Sequence, residues 1–431
     1  MKILGRDFAS LIVRRKQHNS VLILTGPRQT GKTTFCERQL PGLLGQEAAS
    51  YSFDDVDLRE QFSRRSLSIL EDVKTPMVVL DEAQKQPAVF EAVKIMVDRQ
   101  AKGESGHRTF VLTGSSHLML LKSVRETLAG RAALIQVQPF SLGEVLGVPR
   151  TGLLSGIVER MAVEPGALDA WLNAPPESLR FAREAVRRHR RVGGFPRPYA
   201  MAEESDALAW LKDYRATYLD RDVADVGRIG DVMGFSKVSK LLCGRTGQLL
   251  CVAAVSRESG MAVNTIRRYL DLLQMTFQVT LLEPYHENVG KRLVKAPKLY
   301  FLDPGLSRAI MGEAAIAEGA AYENWVFSEL KKWAAARHEG AELHFYRTAA
   351  GLEVDFIVSV KGVLLPVEAK CGETVSPSDC GNVERFMREH QGSAPLGLVV
   401  CRGGEPREVR RNVWAIPDYM LFADPPPVFP T

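Results

Sequence analysis

Two groups of residues, far apart in the chain, have the types and spacing to handle phosphates. In Gly26-Pro27-Arg28-Gln29-Thr30-Gly31-Lys32-Thr33-Thr34 the pattern is G-x-x-x-x-G-K-[ST]. Glycines at its ends let successive N–H groups turn inward around an anion. Lys32 is a point charge for β- and γ-phosphates, and the Thr33 hydroxyl can hold Mg²⁺. Residues 26–34 therefore predict a site for a purine triphosphate, ATP or GTP. Residues 76–84 supply what hydrolysis needs: an apolar run that ends in Asp81 and Glu82. Asp81 suits the Mg²⁺ shell, and Glu82 can polarise a water toward the γ-phosphate. The apolar run 110–112 ends in Thr113-Gly114-Ser115-Ser116, where Ser115 or Ser116 either reports the γ-phosphate or caps a helix. Arg131, after Leu128-Ala129-Gly130, is either a surface residue or an arginine finger for a neighbouring subunit, with Arg125 the competing candidate.

The second group lies in the last quarter of the chain. Glu323 sits in a helical pattern, Asp355 in a polar–apolar alternation, and Glu368-Ala369-Lys370 at the end of another apolar run. Acids converging from adjacent strands can hold Mg²⁺ that polarises a phosphodiester and its attacking water. Residues 368 and 370 share a strand face, so Lys370 would lie beside that metal and stabilise a pentavalent phosphate. The order of a helix acid, a strand Asp and a strand Glu-x-Lys resembles the restriction-endonuclease-type PD-(D/E)xK core. On the resemblance, Glu323, Asp355 and Glu368 are metal ligands and Lys370 is catalytic. The competing expectation is that these acids form ion pairs with Arg347, Lys361 or each other's neighbours.

The elements that must position these groups change character along the chain. The first 140 residues alternate apolar strands with helical patterns, which predicts a parallel α/β sheet. Strands are expected at Val21–Leu24, Ala49–Phe53, Met77–Leu80, Thr109–Leu112 and Ala133–Val137, with a helix over Ala88–Gln100. Residues 141–209 read as a helical lid or linker, 210–312 as a winged-helix-like domain, and 313–431 as a small α/β domain. Within the third region a helix ends near Glu258, Gly260 makes a tight turn, and a second helix starts at Asn264 or Thr265. Ile266, Leu270 and Leu273 recur at i, i+4, i+7 and form its core face. A strand over Phe277–Leu282 follows as a wing. Asn264, Thr265, Arg267 and Arg268 could then enter a major groove, with Lys291, Arg292 and Lys295 on phosphates. The same module could equally serve as packing. In the C-terminal region a helix over Tyr322–Ala336 precedes strands at Glu342–Arg347, Leu352–Val360, Val363–Ala369 and Gly397–Cys401.

Composition limits the rest. The 431 residues carry 56 Lys and Arg against 51 Asp and Glu, a net charge of +5 that neither demands nor excludes nucleic acid. Seven arginines between Arg180 and Arg197 face one acid, Glu184, and form either a solvated helix face or a phosphate-contacting surface. Six cysteines show no zinc spacing, and no apolar run reaches the ~18 residues that span a bilayer. A cytoplasmic protein without a membrane partner is expected.

Taken together, 26–34, Leu80-Asp81-Glu82-Ala83-Gln84, Leu112-Thr113-Gly114-Ser115-Ser116, Leu128-Ala129-Gly130-Arg131, Pro139-Phe140-Ser141 and Gly193-Gly194-Phe195-Pro196 resemble the bacterial and archaeal AAA-type "ATP-binding proteins". In that family a P-loop ATPase precedes a C-terminal domain of unknown function of the DUF 4143 type. Arg245-Thr246-Gly247-Gln248, Lys291-Arg292 and Lys295-Ala-Pro-Lys298 match its later part. The resemblance implies an ATP- and Mg²⁺-dependent ATPase, and ring-like homo-oligomers that present Arg131 to the adjacent site. The fold expected is an AAA-type parallel sheet, a winged-helix-like region and a nuclease-like α/β domain. The expected output is nuclease activity or clamping on DNA or RNA. The alternatives are a switch-type ATPase that regulates a protein partner, and a motor that pulls nucleic acid without cutting.

Overall fold

The computed structural model describes residues 3–104, 106–114, 127–147, 152–160, 173–219, 231–285, 296–312, 316–337 and 340–423. The chain divides into two compact units. One comprises Phe8–Pro139 and Met275–Phe277; the other comprises Met1–Asp7, Phe140–Gln274 and Gln278–Thr431.

In the first unit five strands, β1 Val21–Thr25, β2 Ala48–Ser52, β3 Met77–Asp81, β4 Thr109–Gly114 and β5 Ala132–Gln136, form a sheet in the order β2-β3-β4-β1-β5. Every pairing is parallel. Helices α1 Ala9–Lys16, α2 Lys32–Arg38, α3 Leu40–Leu44, α4 Val56–Asp72 and α5 Ala88–Ala101 connect and cover it. Strand side chains alternate between faces, so one strand feeds two cores. Val21 and Ile23 of β1 pack with Phe62, Phe90 and Val93 from α4 and α5. Leu22 and Leu24 pack with Leu11, Ile12, Phe35 and Cys36 from α1 and α2. This is why β1, β3 and β4 read as continuous apolar runs. The expected strands and the α5 helix fall within two residues of the observed ones.

The second unit begins with helices α6 Leu142–Leu146, α7 Gly152–Arg160, α8 Pro176–Val192, α9 Pro196–Tyr199 and α10 Glu204–Tyr214. Helices α11 Val232–Cys243, α12 Val252–Ser259 and α13 Val263–Met275 follow, then an antiparallel ribbon of β6 Val279–Leu282 and β7 Lys298–Phe301. After α14 Pro304–Met311 and α15 Glu318–Ala336 comes a mixed sheet ordered β12-β13-β11-β10-β9-β8. Its strands are β8 Glu342–Arg347, β9 Glu353–Val360, β10 Val363–Lys370, β11 Gly397–Cys401, β12 Arg407–Arg410 and β13 Val413–Pro417. Trp325, Phe327 and Leu330 of α15 bury one face, packing with Phe356, Leu365 and Val367. Val383 and Phe386 of helix α16 Gly381–Glu389 bury the other, against Leu364 and Val399. The chain ends its described part in α17 Asp418–Leu421.

A buried polar network explains two motifs whose purpose the sequence leaves open. Gly193 lies in the left-handed region at φ +76, and a Cβ there would meet Asp303 Oδ1 at 2.0 Å. The Asp303 carboxylate accepts from Gly194 N at 2.7 Å and from Leu306 N at 3.0 Å. Gly194 O in turn accepts from Phe140 N at 2.7 Å. Phe140 O lies 2.8 Å from His189 Nε2 and 3.0 Å from Lys332 Nζ. Trp325 Nε1 donates to His189 Nδ1 at 2.9 Å, so the proton of a neutral imidazole belongs on Nε2, facing Phe140 O. Burial and then Lys332 push the His189 pKa down to about 4 and keep the ring neutral. Phe140 and Gly193-Gly194 are therefore joined by one buried polar network.

Candidate nucleotide site and C-terminal carboxylate cluster

The loop between β1 and α2 lies at the carboxyl edge of the parallel sheet, where ligands of open α/β folds bind. Gly26 is pressed against the chain leaving β5, and a Cβ there would meet Val137 O at 1.9 Å. Gly31, at φ +87, turns the chain into α2, whose first residue is Lys32. The N–H groups and the helix N-terminus make this end receptive to anions. Thr30 Oγ1 donates to Pro27 O at 2.9 Å and holds the loop closed. Lys32 Nζ donates back to Gly26 O at 2.9 Å and Pro27 O at 2.8 Å. Burial outweighs the nearby acids and lowers the Lys32 pKa to about 8. An ammonium whose charge burial disfavours, at the mouth of an N–H cradle, is a group short of anionic partners.

Strand β3 brings its tip to the same edge. Thr33 Oγ1 donates to Asp81 at 3.1 Å (Oδ1) and 3.0 Å (Oδ2), which joins the loop to the strand end. Thr113 at the end of β4 also donates to Asp81 Oδ1 and accepts from Glu82 N at 3.2 Å. Burial raises the Asp81 pKa against those two hydroxyl bonds. Glu82 has φ +52, a conformation that costs a non-glycine residue about 1–3 kcal/mol and is found at functional turns. Gln84 Nε2 holds its Oε2 at 2.6 Å. Lys32, Thr33, Asp81 and Glu82 are thus brought together. Thr113 and Gln84 complete the group, and sequence reasoning assigned neither a role. The parallel register of β3 with β4 is the signal, since it places the end of β4 beside Asp81.

Other expected site residues are not brought there. Arg131 precedes β5, and β5 runs parallel to β1 with Val21 opposite Ala132. Arg131 is therefore at the amino edge of the sheet, about 15 Å of strand away from the loop after β1. Its Nε donates to Asp98 Oδ1 at 2.7 Å. Ser115, Ser116 and Arg125 lie outside the described residues, as do Lys291, Arg292 and Lys295.

In the helix–turn–helix, α12 ends at Gly260 with φ +77 and α13 begins at Val263. Ile266, Leu270 and Leu273 are buried, while Asn264, Arg267 and Arg268 are exposed and Thr265 half-buried. Arginines of α8, by contrast, largely serve the fold. Arg188 donates to Tyr199 O at 3.0 Å, Arg191 pairs with Glu204 at 2.5 Å, and Arg183 donates to Tyr419 Oη at 3.2 Å.

The C-terminal acids converge, but around a lysine. Lys298 Nζ, at the start of β7, lies 2.7 Å from Glu353 Oε1, 3.2 Å from Glu323 Oε1 and 3.6 Å from Asp355 Oδ1. Tyr300 Oη donates to Glu323 Oε1 at 2.5 Å. Gly247, at φ +78, lets the backbone close over this group, since a Cβ would come 3.1 Å from Glu323 Oε2. Asp355 Oδ2 accepts from Ala369 N at 3.0 Å. Glu368 Oε1 accepts from Lys370 Nζ at 2.9 Å. Burial, then the Asp355 charge, pushes the Glu323 pKa up to about 7 and that of Glu368 up to about 8. Arg347 pairs with Glu353 at 3.4 Å, a neighbour of the three expected acids rather than one of them. Among the described residues no group of three His, Cys, Asp or Glu side chains is arranged to hold a metal ion. This differs from the open cage of Glu323, Asp355 and Glu368 that the motif implies, because an ammonium is seated between two of the three.

Comparisons with known proteins bear on both halves. Residues 18–146 match the AAA domain family, residues 183–316 a domain of unknown function (DUF8612), and residues 318–420 a domain of unknown function (DUF4143). An uncharacterized protein of Mycobacterium tuberculosis is 29% identical over 409 residues, which cover 93% of this chain and 79% of that protein. Among solved structures, the Holliday junction branch migration motor RuvB of Thermotoga maritima aligns with 68% of this chain and 95% of its own, at 14% identity and TM-score 0.31. The ORC1 protein of Aeropyrum pernix, solved in complex with DNA, aligns with 72% of this chain and 93% of its own, at 12% identity and TM-score 0.30. Among the described residues no helix is long and apolar enough to cross a membrane. The parallel-sheet P-loop α/β fold thus coincides with the region that matches the AAA domain family, and the mixed sheet, reached through a helical region, with the region that matches DUF4143.

Proposed function

We propose that this chain is a magnesium-dependent ATPase whose helix–turn–helix contacts nucleic acid. The observation that carries the first part is the contact of Thr33 Oγ1 with both Asp81 oxygens, which joins the phosphate loop to the strand-tip acid. A hydroxyl and a carboxylate side by side suit Mg²⁺, a hard cation that keeps most of its waters and takes one or two protein oxygens. Bound there with nucleotide, the ion neutralises charge on the β- and γ-phosphates.

The chain's own groups do the rest. N–H groups of residues 26–34 wrap the phosphates, and Lys32 exchanges its two loop carbonyls for phosphate oxygens. Glu82, fixed by its turn and by Gln84, orients the attacking water. Arg131 serves as a finger only in trans, in a homo-oligomer, where it would have to leave Asp98. The DNA or RNA reading rests on α13, which buries Ile266 and Leu273 and presents Asn264, Arg267 and Arg268 outward.

Steady-state ATP hydrolysis with and without Mg²⁺ tests the first part. Wild type should turn over ATP, Lys32→Ala should bind none, and Glu82→Gln should bind ATP but hydrolyse it about 100-fold more slowly. Equal turnover by all three proteins would sink the reading. For the second part, DNA affinity should fall steeply with salt and weaken in Arg267→Ala/Arg268→Ala. Affinity indifferent to both would leave a protein partner as the target.

A further inference from the structure

The residues at the C-terminal cluster have the wrong occupant for a metal-dependent nuclease. Four carboxylates, Glu323, Glu353, Asp355 and Glu368, come from α15, β9 and β10. A divalent cation between them would need the space and the negative charge that Lys298 uses. Lys298 is 2% exposed, and its ammonium is within 4 Å of three of the four acids. Withdrawing one ammonium from water is unfavourable, and each close carboxylate offsets part of that. Three acids outweigh burial, which is why the Lys298 pKa is raised rather than lowered.

The ammonium is also fixed from behind. Lys298 starts β7, where it pairs with Leu282 of β6, and its Nζ lies 5.7 Å from the centre of the Phe345 ring. Glu323 is held by Tyr300 from the same strand, and Gly247 closes the cluster from above. Withdrawing the ammonium would leave Glu323, Glu353 and Asp355 facing one another, with Arg347 on Glu353 and Lys370 near Asp355 as counter-charges.

We infer that Lys298 is the resident cation of this cluster, so that the DUF4143 domain takes up no divalent metal at Asp355 and does not cut phosphodiesters through these acids. What Mg²⁺ does in a PD-(D/E)xK core, holding the helix acid and the strand acid together, the ammonium does here. It also ties the ribbon β6–β7 to β9, the strand that carries Glu353 and Asp355.

Mn²⁺ uptake by the full-length, nucleotide-free protein, read as loss of the free-ion electron paramagnetic signal, tests this. Wild type and Asp355→Asn should take up Mn²⁺ equally at concentrations to about 1 mM, the weak end of carboxylate sites. Any binding at Thr33 and Asp81 is common to both and cancels. Lys298→Gln should gain one site at least ten-fold tighter, which Lys298→Gln/Asp355→Asn loses and the charge-conserving Lys298→Arg does not show. Uptake by wild type that Asp355→Asn removes would overturn the inference and restore a metal site. So would a folded Lys298→Gln that gains no site. Should Lys298→Gln not fold, the comparison of wild type with Asp355→Asn decides alone.

Discussion

Lys32 and Lys298 are both buried lysines with acids nearby, yet they stand at opposite ends of one scale. Lys32 donates to two loop carbonyls, and its pKa falls to about 8 because burial wins. Lys298 touches three carboxylates, and its pKa rises because they win. A buried charge left short of counter-charge is a site prepared for an anionic ligand. A buried charge already saturated is part of the scaffold. The chemistry of a ligand site is written in what its charged groups still lack.

The sharpest way to break this comparison is to remove each charge in turn. Lys32→Ala should abolish ATP binding and cut turnover by about 100-fold or more, as loss of a transition-state charge contact does. Lys298→Gln should leave turnover per folded molecule unchanged. ATP hydrolysis lost equally in both would show that the two lysines belong to one machinery. Stability without nucleotide should run the other way. Lys298→Met leaves three acids facing one another and should cost about 3–5 kcal/mol, the range for breaking a buried pair. Lys32→Met removes an under-compensated charge and should leave the midpoint unchanged or higher. Thermal melts followed by circular dichroism at pH 7 measure both, and a larger loss for Lys32→Met would invert the argument.

A smaller effect tests the acids rather than the lysine. Glu323 and Glu368 are pushed up to about 7 and about 8, so the folded state holds protons that the unfolded chain has released. Their contribution is fully present below the unfolded carboxylate range and is lost as pH rises through those values. His189, lowered to about 4, acts in the opposite direction, but only below about pH 6.5, where the unfolded imidazole is charged. Between about pH 6.5 and 8 stability should therefore decline with rising pH. Glu323→Gln and Glu368→Gln should each flatten that decline in urea unfolding of the C-terminal unit. A profile that stays equally steep in both variants would mean that the two carboxyls are ionised throughout.

The candidate nucleotide site was legible because its residues are local in the chain. Gly26, Gly31, Lys32 and Thr33 lie within one turn, and β1, β3 and β4 announce themselves as apolar runs. Asp81 and Glu82 follow directly from the end of such a run. What escaped is held by pairings between elements. Thr113 matters because β4 lies beside β3, so its hydroxyl reaches Asp81, whereas the neighbouring Ser115 drew the attention. Lys298 looked like one more member of a basic stretch with Lys291 and Arg292. Its three partners lie later in the chain, on α15 and β9, and only the tertiary fold shows it buried. The arginines between 180 and 197 show the same limit, since Arg188 and Arg191 are committed to Tyr199 O and Glu204. Strand β12 was missed because an edge strand with exposed Arg407 and Glu408 has the composition of a loop.

The smallest expected signal is the most direct measure of what Lys32 lacks. With a pKa of about 8, much of the Lys32 population is neutral at pH 8.5 in the nucleotide-free protein. Triphosphate oxygens in place of Gly26 O and Pro27 O favour the ammonium and raise that pKa. ATP is already fully ionised at this pH, so its binding should draw a fraction of a proton from solvent onto Lys32. Calorimetric titrations of ATP into the protein at pH 8.5, in two buffers of different ionisation enthalpy, would show the uptake as a difference in apparent binding heat. At pH 6.5 the Lys32 contribution should vanish, because the lysine is charged before and after binding. Lys32→Arg keeps its charge throughout and should bind ATP with no uptake from this position at either pH. Heats that agree between buffers at pH 8.5 would mean that Lys32 is fully charged before ATP arrives, and its likeness to Lys298 would be closer than the geometry allows.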